Sequence, residues 1–166
     1  ALGAGLIRIW AGNQGSVEFS EGKREALLEE LAGIVDMAAA ERVKVATEYH
    51  ARTFTDTLES TREMLAAVPG LFTFWQPPVG LSHVENLRAL DALSGHVESL
   101  HVYEWTAQGE RRPLREGEAR WLPYLQRASA WPGLHYCTTE FVAGDAPGQF
   151  LEDAAALAEW IAKMNG

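Results

Sequence analysis

The sequence predicts an α/β fold with a parallel β-sheet, and more narrowly about the last five βα units of a (β/α)8 barrel. Three observations predict it. Five short apolar runs alternate with longer amphipathic stretches, always strand then helix. Each run is nearly continuous in apolar character, as in strands covered by helices on a parallel sheet. A full barrel needs about 250 residues, whereas this chain has 166.

The predicted elements follow one another along the whole chain. Ser20 is a candidate N-cap, and Ser82 with Glu85 has the spacing of a capping box. The segment 104–117 is polar and rich in arginine, which favours an active-site loop over a linker. The strands are predicted at 6–12, 43–50, 71–76, 98–105 and 134–142. The helices are predicted at about 21–39, 56–67, 82–95, 117–129 and 148–164.

The composition predicts a single globular domain over residues 1–166. Hydrophobic residues make up 47% of the chain and charged residues 22%, and no run approaches the roughly 18 apolar residues of a membrane span. Five βα units would leave two open strand edges, which native proteins avoid. We therefore expect the N-terminal units to precede Ala1 in a longer protein, or to be supplied by another chain in a homo-oligomer.

Charge and cysteine content narrow the expected partners and location. The net charge of −9 disfavours nucleic-acid binding, which needs cations to displace counterions from phosphates. Cys137 is the single cysteine, and the start of the sequence lacks a basic and apolar leader, so a reducing cytoplasm is expected. The sequence has no G-x-G-x-x-G, P-loop or nucleophile elbow. A small sugar or polyol is the expected partner, without nucleic acid or membrane.

Four polar residues interrupt four of the predicted strands near their C-terminal ends. The C-terminal ends of barrel strands form the face on which ligands bind, so these side chains should converge. Two carboxylates, one imidazole and one amide oxygen suit a divalent cation, Mn²⁺ or Mg²⁺ first, with Co²⁺ or Zn²⁺ as alternatives. Taken singly, His101 could instead be a core histidine, and Gln76 could fix the turn before Pro77. The four candidates are Glu48, Gln76, His101 and Glu140.

These residues lie in segments that resemble a known group of enzymes. The chain is similar to the C-terminal half of the xylose isomerase-like superfamily of sugar isomerases and epimerases. The segments that carry the similarity are TEYH, TFWQPP, LHVYEW and TTEFV, with PLREGEARW between the last two. The resemblance covers nearly the whole chain. It implies one divalent metal held by Glu48, Gln76, His101 and Glu140. It also implies that Glu48 and Glu140 are the acid/base pair that moves a substrate proton by way of an enediolate.

The sequence departs from the superfamily's pattern at two places. In the superfamily, the metal ligand on the sixth barrel strand is usually Asp, and a substrate-binding His follows three residues later. The predicted strand 71–76 corresponds to that strand, and here Gln76 is followed by two prolines and Val79. An amide keeps an oxygen donor but removes one negative charge, so weaker metal binding is expected. A Lys-Asp pair usually follows the seventh-strand His, and Tyr103 and Glu104 stand there instead.

Five further residues are candidates for binding the substrate. His50 lies two residues beyond Glu48 and so on the same face of the strand. Paired arginines in the 104–117 segment could hold a phosphate or carboxylate, and aromatic residues near strand ends often stack on sugars. The candidates are His50, Tyr103, Trp105, Arg111 and Arg112.

A divalent-metal-dependent sugar or sugar-phosphate isomerase or epimerase is the leading functional interpretation. One alternative is a metal-dependent lyase or dehydratase that acts on a cyclic polyol by the same enolisation step. Another is a non-catalytic sugar-binding member of the fold, since Gln76 replaces the usual Asp. A DNA-repair nuclease on a related barrel is disfavoured by the acidic charge.

Overall fold

The computed structural model describes residues 3–132 and 136–164 of the chain. Within these ranges strands alternate with helices, except that three strands, at 97–102, 104–105 and 111–112, follow one another before the next helix. The elements are β1 (Leu6–Arg8), α1 (Glu21–Ala40), β2 (Lys44–Glu48), α2 (Leu58–Ala67), β3 (Leu71–Trp75), α3 (His83–Leu93), β4 (Val97–Val102), β5 (Glu104–Trp105), β6 (Arg111–Arg112), α4 (Glu118–Ser129), β7 (Tyr136–Thr139) and α5 (Pro147–Met164).

Five of the strands form one sheet whose order follows the chain, β1-β2-β3-β4-β7. The β1–β2, β2–β3 and β4–β7 pairs are parallel, with Ile7 opposite Val45 and Leu100 opposite Cys137. A parallel pair requires a crossover connection, and a helix follows each of these strands before the next one begins. The predicted repeat of strand and helix is therefore confirmed.

The first of two compact units runs as far as Trp75 and also includes His96–Glu98. Its longest helix, α1, begins after Ser20, whose hydroxyl accepts a hydrogen bond from the Lys23 amide at 3.4 Å. The predicted N-cap is confirmed, and it satisfies one of the amides that a helix start leaves unpaired. The buried apolar side chains of this unit include Leu31, Val45, Ala46, Phe54, Met64 and Leu71.

The second unit comprises Gln76–Gly95 and the chain from Ser99 onward. The predicted capping box at the start of α3 is confirmed: the Glu85 amide donates to the Ser82 hydroxyl at 3.3 Å, and the Ser82 amide donates to the Glu85 carboxylate at 2.8 Å. The Ser82 hydroxyl and the Ser82 amide both donate to the Glu85 carboxylate and lower the pKa of Glu85. The buried apolar side chains of this unit include Leu93, Leu100, Trp121, Tyr124, Leu125 and Trp160.

The structure corrects the predicted extents of several strands. The first, predicted at 6–12, ends at Arg8, and the backbone reaches a positive φ of 77° at Gly12. The fourth, predicted at 98–105, ends at Val102. Residues 134 and 135 of the last predicted strand lie outside the described residues, and β7 covers Tyr136–Thr139.

The segment 104–117 is more ordered than the predicted loop. Glu104–Trp105 pairs antiparallel with Arg111–Arg112 to form a hairpin, and a 3-10 helix follows at Leu114–Gly117. The chain reverses because the Thr106 amide donates to the Glu110 carbonyl at 2.9 Å, and Gly109 adopts a φ of 81°. Among the described helices, none combines the length and apolar character needed to cross a membrane.

Candidate metal centre

The four predicted metal ligands all lie at or just beyond the carboxyl ends of strands. Glu48 is the last residue of β2, and Gln76 directly follows β3. His101 is the penultimate residue of β4, and Glu140 directly follows β7. Because the carboxyl ends of parallel strands lie at one edge of a sheet, side chains at these four positions are expected at the same edge.

Glu48 is buried, with 3% of its surface exposed, and its carboxylate is paired with the Arg8 guanidinium. Arg8 lies at the end of β1, where the parallel register sets it opposite Ala46. The Thr55 hydroxyl donates to the Glu48 carbonyl at 2.5 Å, which fixes the backbone where the strand ends. A buried carboxylate needs such a partner because desolvation disfavours its charged form.

Arg8 is the functional candidate that the sequence analysis missed. The signal was present, because Arg8 is the single charged residue in the apolar run LIRIW. A lone cation inside a strand that leads to a ligand-binding face can be read as the partner of a carboxylate on the next strand. Its guanidinium also lies over the Trp10 ring, 5.2 Å from the centroid, which gives it a second stabilising contact.

His50 is held in place by the loop that follows β2. Its Nδ1 lies 2.6 Å from the Ala51 carbonyl oxygen, and its ring meets the Trp10 ring edge to face, with centroids 4.9 Å apart. The Thr53 hydroxyl donates to the His50 carbonyl at 2.7 Å. A carbonyl oxygen can only accept a hydrogen bond, so Nδ1 carries the proton and Nε2 of the neutral ring keeps its lone pair.

His101 and Glu140 form the other half of the candidate centre. The His101 Nδ1 lies 3.1 Å from the Glu140 Oε2, with side-chain exposures of 4% and 29%. The Glu140 amide donates to the Val102 carbonyl at 3.0 Å, so β4 and β7 together set the position of this carboxylate. The next residue, Phe141, has a positive φ of 52°, which is uncommon for a bulky side chain and is the kind of strain that functional sites retain.

The ligand atoms of Glu48, His101 and Glu140 all lie within 4.8 Å of one another. Ligands about 2.1 Å from one cation, at right angles to each other, are about 3 Å apart, close to the 3.1 Å between His101 and Glu140. Two carboxylates and one imidazole are donors that Mn²⁺, Mg²⁺ and Zn²⁺ accept. The residues therefore fit a divalent cation. Gln76 is buried, and its role as a fourth ligand stays a prediction.

The predicted substrate-binding residues differ in their burial and in the groups that they contact. Tyr103 is buried and its hydroxyl donates to the Pro77 carbonyl at 2.9 Å; burial raises its pKa. The Trp105 ring packs against Tyr103, with centroids 5.0 Å apart. Arg111 is paired with Asp145 at 2.5 Å. Their substrate contacts stay predictions.

Arg112 is likewise engaged with a carboxylate, since its Nε lies 3.4 Å from the Glu116 Oε2. An open depression of about 330 Å³ adjoins Glu140 and is bounded by Phe141, Val142 and Phe150. Through this depression the exposed part of the Glu140 carboxylate can reach a small molecule from solvent.

Solved structures of known proteins share the fold of this chain. The chain has the fold of the xylose isomerase-like TIM-barrel proteins, which confirms the resemblance and the predicted partial barrel. The probable 3-DHS dehydratase AsbF of Bacillus anthracis, involved in petrobactin synthesis, superposes with a TM-score of 0.76 at 20% identity, over 93% of this chain and 63% of its own.

Two further solved structures share this fold. A xylose isomerase domain protein from Planctomyces limnophilus has a TM-score of 0.74 and 18% identity, covering 99% of this chain and 60% of its own. A xylose isomerase-like TIM barrel protein from Mycobacterium smegmatis, in complex with magnesium, has a TM-score of 0.65 and 12% identity, covering 88% and 53%.

The sequence itself has one curated relative of note. The 3-dehydroshikimate dehydratase of Bacillus anthracis is 31% identical over an alignment of 134 residues that covers 67% of this chain and 47% of the relative. The chain thus spans about half the length of that relative. No protein-family model matches the chain.

Proposed function

We propose that the chain carries the metal-binding and proton-transfer residues of a divalent-metal-dependent dehydratase that acts on a hydroxylated cyclic ketone. The observation that carries the proposal is the close approach of the Glu48, His101 and Glu140 ligand atoms. The 31% identity to a 3-dehydroshikimate dehydratase favours loss of water over isomerisation as the overall reaction. The proposed substrate class is inferred from the name of that relative.

The reaction needs a base, an acid and a means to acidify a carbon. A base removes the proton next to the carbonyl, a carbon–carbon double bond forms, and the neighbouring hydroxyl takes a proton and leaves as water. A proton next to a carbonyl is too weakly acidic for a side chain to remove unaided. A divalent cation held by Glu48, His101 and Glu140, with Gln76 as a fourth donor, would polarise the carbonyl.

His50 is the base that the local geometry favours. Its Nδ1 is committed to the Ala51 carbonyl, which leaves Nε2 of the neutral ring to accept a proton. Glu140 is partly exposed; once protonated from solvent, it would pass that proton to the leaving hydroxyl, and His50 would release the proton taken from carbon to solvent. Glu48 is buried and paired with Arg8, so we assign it to holding the cation, with its acid/base role kept for the isomerase alternative.

The test is turnover of 3-dehydroshikimate with Mn²⁺ or Mg²⁺ present, followed by mass spectrometry of the product. We expect a product lighter by one water, and a loss of rate of about 10²–10⁴-fold for His50→Gln and for Glu140→Gln. His96→Gln is the matched control, because His96 is exposed and precedes β4, at the opposite end of that strand from His101. Full activity in His50→Gln would refute its role as base.

An isomerase or epimerase is the second candidate, favoured by the two carboxylates of the site and by the implied pair Glu48 and Glu140. The two reactions are distinguished by offering ketoses in deuterated water. Deuterium in a recovered or epimerised ketose, without loss of water from any cyclic substrate, would replace the dehydratase proposal with this one. The absence of both activities and of bound divalent cation would overturn both.

A further inference from the structure

The segment that follows β7 holds its backbone in an uncommon conformation. Among the described residues other than glycine, four have a positive φ, and two of them, Phe141 at 52° and Asp145 at 49°, lie in this segment. A bulky side chain adopts this conformation only at a cost in energy. Such strain persists where the surrounding structure holds the residue, and it is concentrated at functional sites. Phe141 directly follows Glu140, a candidate metal ligand.

Three side chains contact the half-buried Phe141 ring. The rings of Tyr103 and Trp105 meet it at 83° and 62°, with centroids 5.4 Å and 4.8 Å away. The Arg111 guanidinium lies over it, 5.4 Å from the centroid. Edge-to-face aromatic pairs and a cation over an aromatic ring are both attractive. The three contacts therefore oppose any rotation of the backbone that would carry the ring away from them.

The side chains that hold the Phe141 ring are themselves fixed. The Tyr103 hydroxyl donates to the Pro77 carbonyl at 2.9 Å. Trp105 and Arg111 lie opposite each other in the hairpin β5–β6. Arg111 is also paired with Asp145 at 2.5 Å, so the hairpin contacts both residues of positive φ in this segment. All of these residues belong to the second unit.

The backbone of Phe141 limits where the Glu140 side chain can lie, because the two residues share one peptide group. The Glu140 amide donates to the Val102 carbonyl at 3.0 Å, which fixes this residue on its β7 side. The peptide group on its other side is planar, so a different φ at Phe141 would rotate that group relative to the held ring. In the observed arrangement the Glu140 Oε2 lies 3.1 Å from the His101 Nδ1.

We propose that Phe141 is a positioning residue for Glu140. The hairpin holds the Phe141 ring, the held ring keeps the backbone at a positive φ, and that backbone keeps the Glu140 carboxylate beside His101. What the placed carboxylate then does, binding a cation and passing on a proton, rests on the proposed function. Tyr103, Trp105 and Arg111 thereby have a role that needs no contact with the substrate.

The first test needs no metal. In chelator-treated protein, nitrogen NMR of the His101 ring reports the carboxylate beside Nδ1, and Glu140→Gln shows the spectrum that results when its charge is lost. Phe141→Ala should produce most of that change, because alanine lacks the ring and favours a negative φ. Phe141→Tyr keeps the ring and should give the natural spectrum. His101 signals in Phe141→Ala that match those of the natural protein would overturn the proposal.

The second test measures Mn²⁺ affinity by calorimetric titration. Phe141→Ala should weaken it by about tenfold, as the loss of a residue that orients a ligand does. Phe141→Gly should weaken it less, because glycine adopts a positive φ without strain, whereas loss of packing alone would give the opposite order. Phe72→Ala is the matched control: Phe72 is half-buried, has the Lys44 Nζ over its ring at 4.9 Å, and lies near the start of β3. It should lose stability but no Mn²⁺ affinity.

The two tests separate this inference from the proposed function. A natural protein that binds no Mn²⁺ would refute the metal centre, and the His101 signals would still decide the role of Phe141. Equal Mn²⁺ affinity in Phe141→Ala and the natural protein, or lower affinity in Phe141→Gly than in Phe141→Ala, would refute the positioning role even in an active dehydratase. Thermal melts check that each variant is folded. If Phe141→Ala does not fold, Arg111→Met removes one of the three contacts and should move the same His101 signals; unchanged signals there would also refute the role.

Discussion

Replacing Arg8 with methionine tests the partner of the buried carboxylate at the candidate metal centre. Methionine keeps most of the aliphatic length and removes the charge, so Glu48 loses its ion pair. The Glu48 side chain is 4% exposed and that of Arg8 is 38% exposed. Breaking a fully buried pair costs about 3–5 kcal/mol, and an exposed pair contributes up to about 1 kcal/mol. With one partner half exposed, we expect Arg8→Met to cost about 2 kcal/mol.

This loss is large enough to measure by thermal unfolding. In a chain of this size, 1 kcal/mol lowers the melting temperature by about 2–4 °C, so Arg8→Met should melt about 4–8 °C lower. Arg115→Met is the matched control, because Arg115 is paired with Glu159 at 3.0 Å and both side chains are about half exposed. The control should melt within about 2 °C of the natural protein.

A double-mutant cycle isolates the pair from other effects of each substitution. Arg8→Met and Glu48→Gln are measured singly and together by urea unfolding, and the coupling energy between them should be about 1–2 kcal/mol. A coupling energy near zero, with Arg8→Met melting as the natural protein does, would refute the inference that the guanidinium stabilises the buried carboxylate.

The same variant tests the cation. Arg8 and a divalent cation would both use the Glu48 carboxylate, so removing Arg8 should increase the stabilisation that Mn²⁺ provides. A ligand at 100 times its dissociation constant stabilises by about 2.7 kcal/mol, enough to restore most of the lost melting temperature. Equal shifts by Mn²⁺ in the natural protein and in Arg8→Met would show that the cation does not use this carboxylate.

Three other predictions concern single positions. Gly117→Ala should cost about 1–3 kcal/mol in urea unfolding, because its Cβ would meet the Glu104 carboxylate; Gly148→Ala, with nothing within 4 Å, is the control. Gln76→Asp should tighten Mn²⁺ binding about tenfold in a calorimetric titration, by adding one negative charge, and unchanged affinity would contradict a ligand role. Burial and nearby carboxylates raise the pKa of Tyr49 from 10.0 to about 12. Stability should therefore be full below pH 10 and fall as pH rises through about 12, by about 1.4 kcal/mol per pH unit, with a smaller slope in Tyr49→Phe.

The fold could be predicted from the sequence because its signal is repeated. The strand Leu71–Trp75 lies in a nearly continuous apolar run, LFTFW, and such a run is enough to locate a strand. The starts of two helices could also be predicted, at Ser20 and Ser82. The side chains of these residues accept hydrogen bonds from amides that every helix start leaves unpaired. Apolar runs and helix caps each depend on a few consecutive residues, so the sequence of those residues is enough to predict them.

The features that the sequence analysis missed depend on contacts between residues that are not neighbours in the chain. The hairpin Glu104–Trp105 with Arg111–Arg112 is held by cross-strand pairing and a glycine turn, which a polar, arginine-rich stretch does not announce. The pairing of Arg8 with Glu48 joins residues 40 apart in the chain, and only the strand register brings them together. The candidate ligands could be proposed because each interrupts an apolar strand, and Arg8 also interrupts one, but the sequence does not show which of these residues pair.

The net charge of the candidate metal centre depends on whether residue 76 is an amide or a carboxylate. Glu48 and Glu140 contribute two formal negative charges and Arg8 one positive charge, so these three residues with a divalent cation would sum to +1. With an aspartate at 76 the sum would be zero. Under the proposed function, Gln76 therefore gives up some affinity for the cation and leaves a more positive site, which stabilises negative charge as it develops on the substrate oxygen.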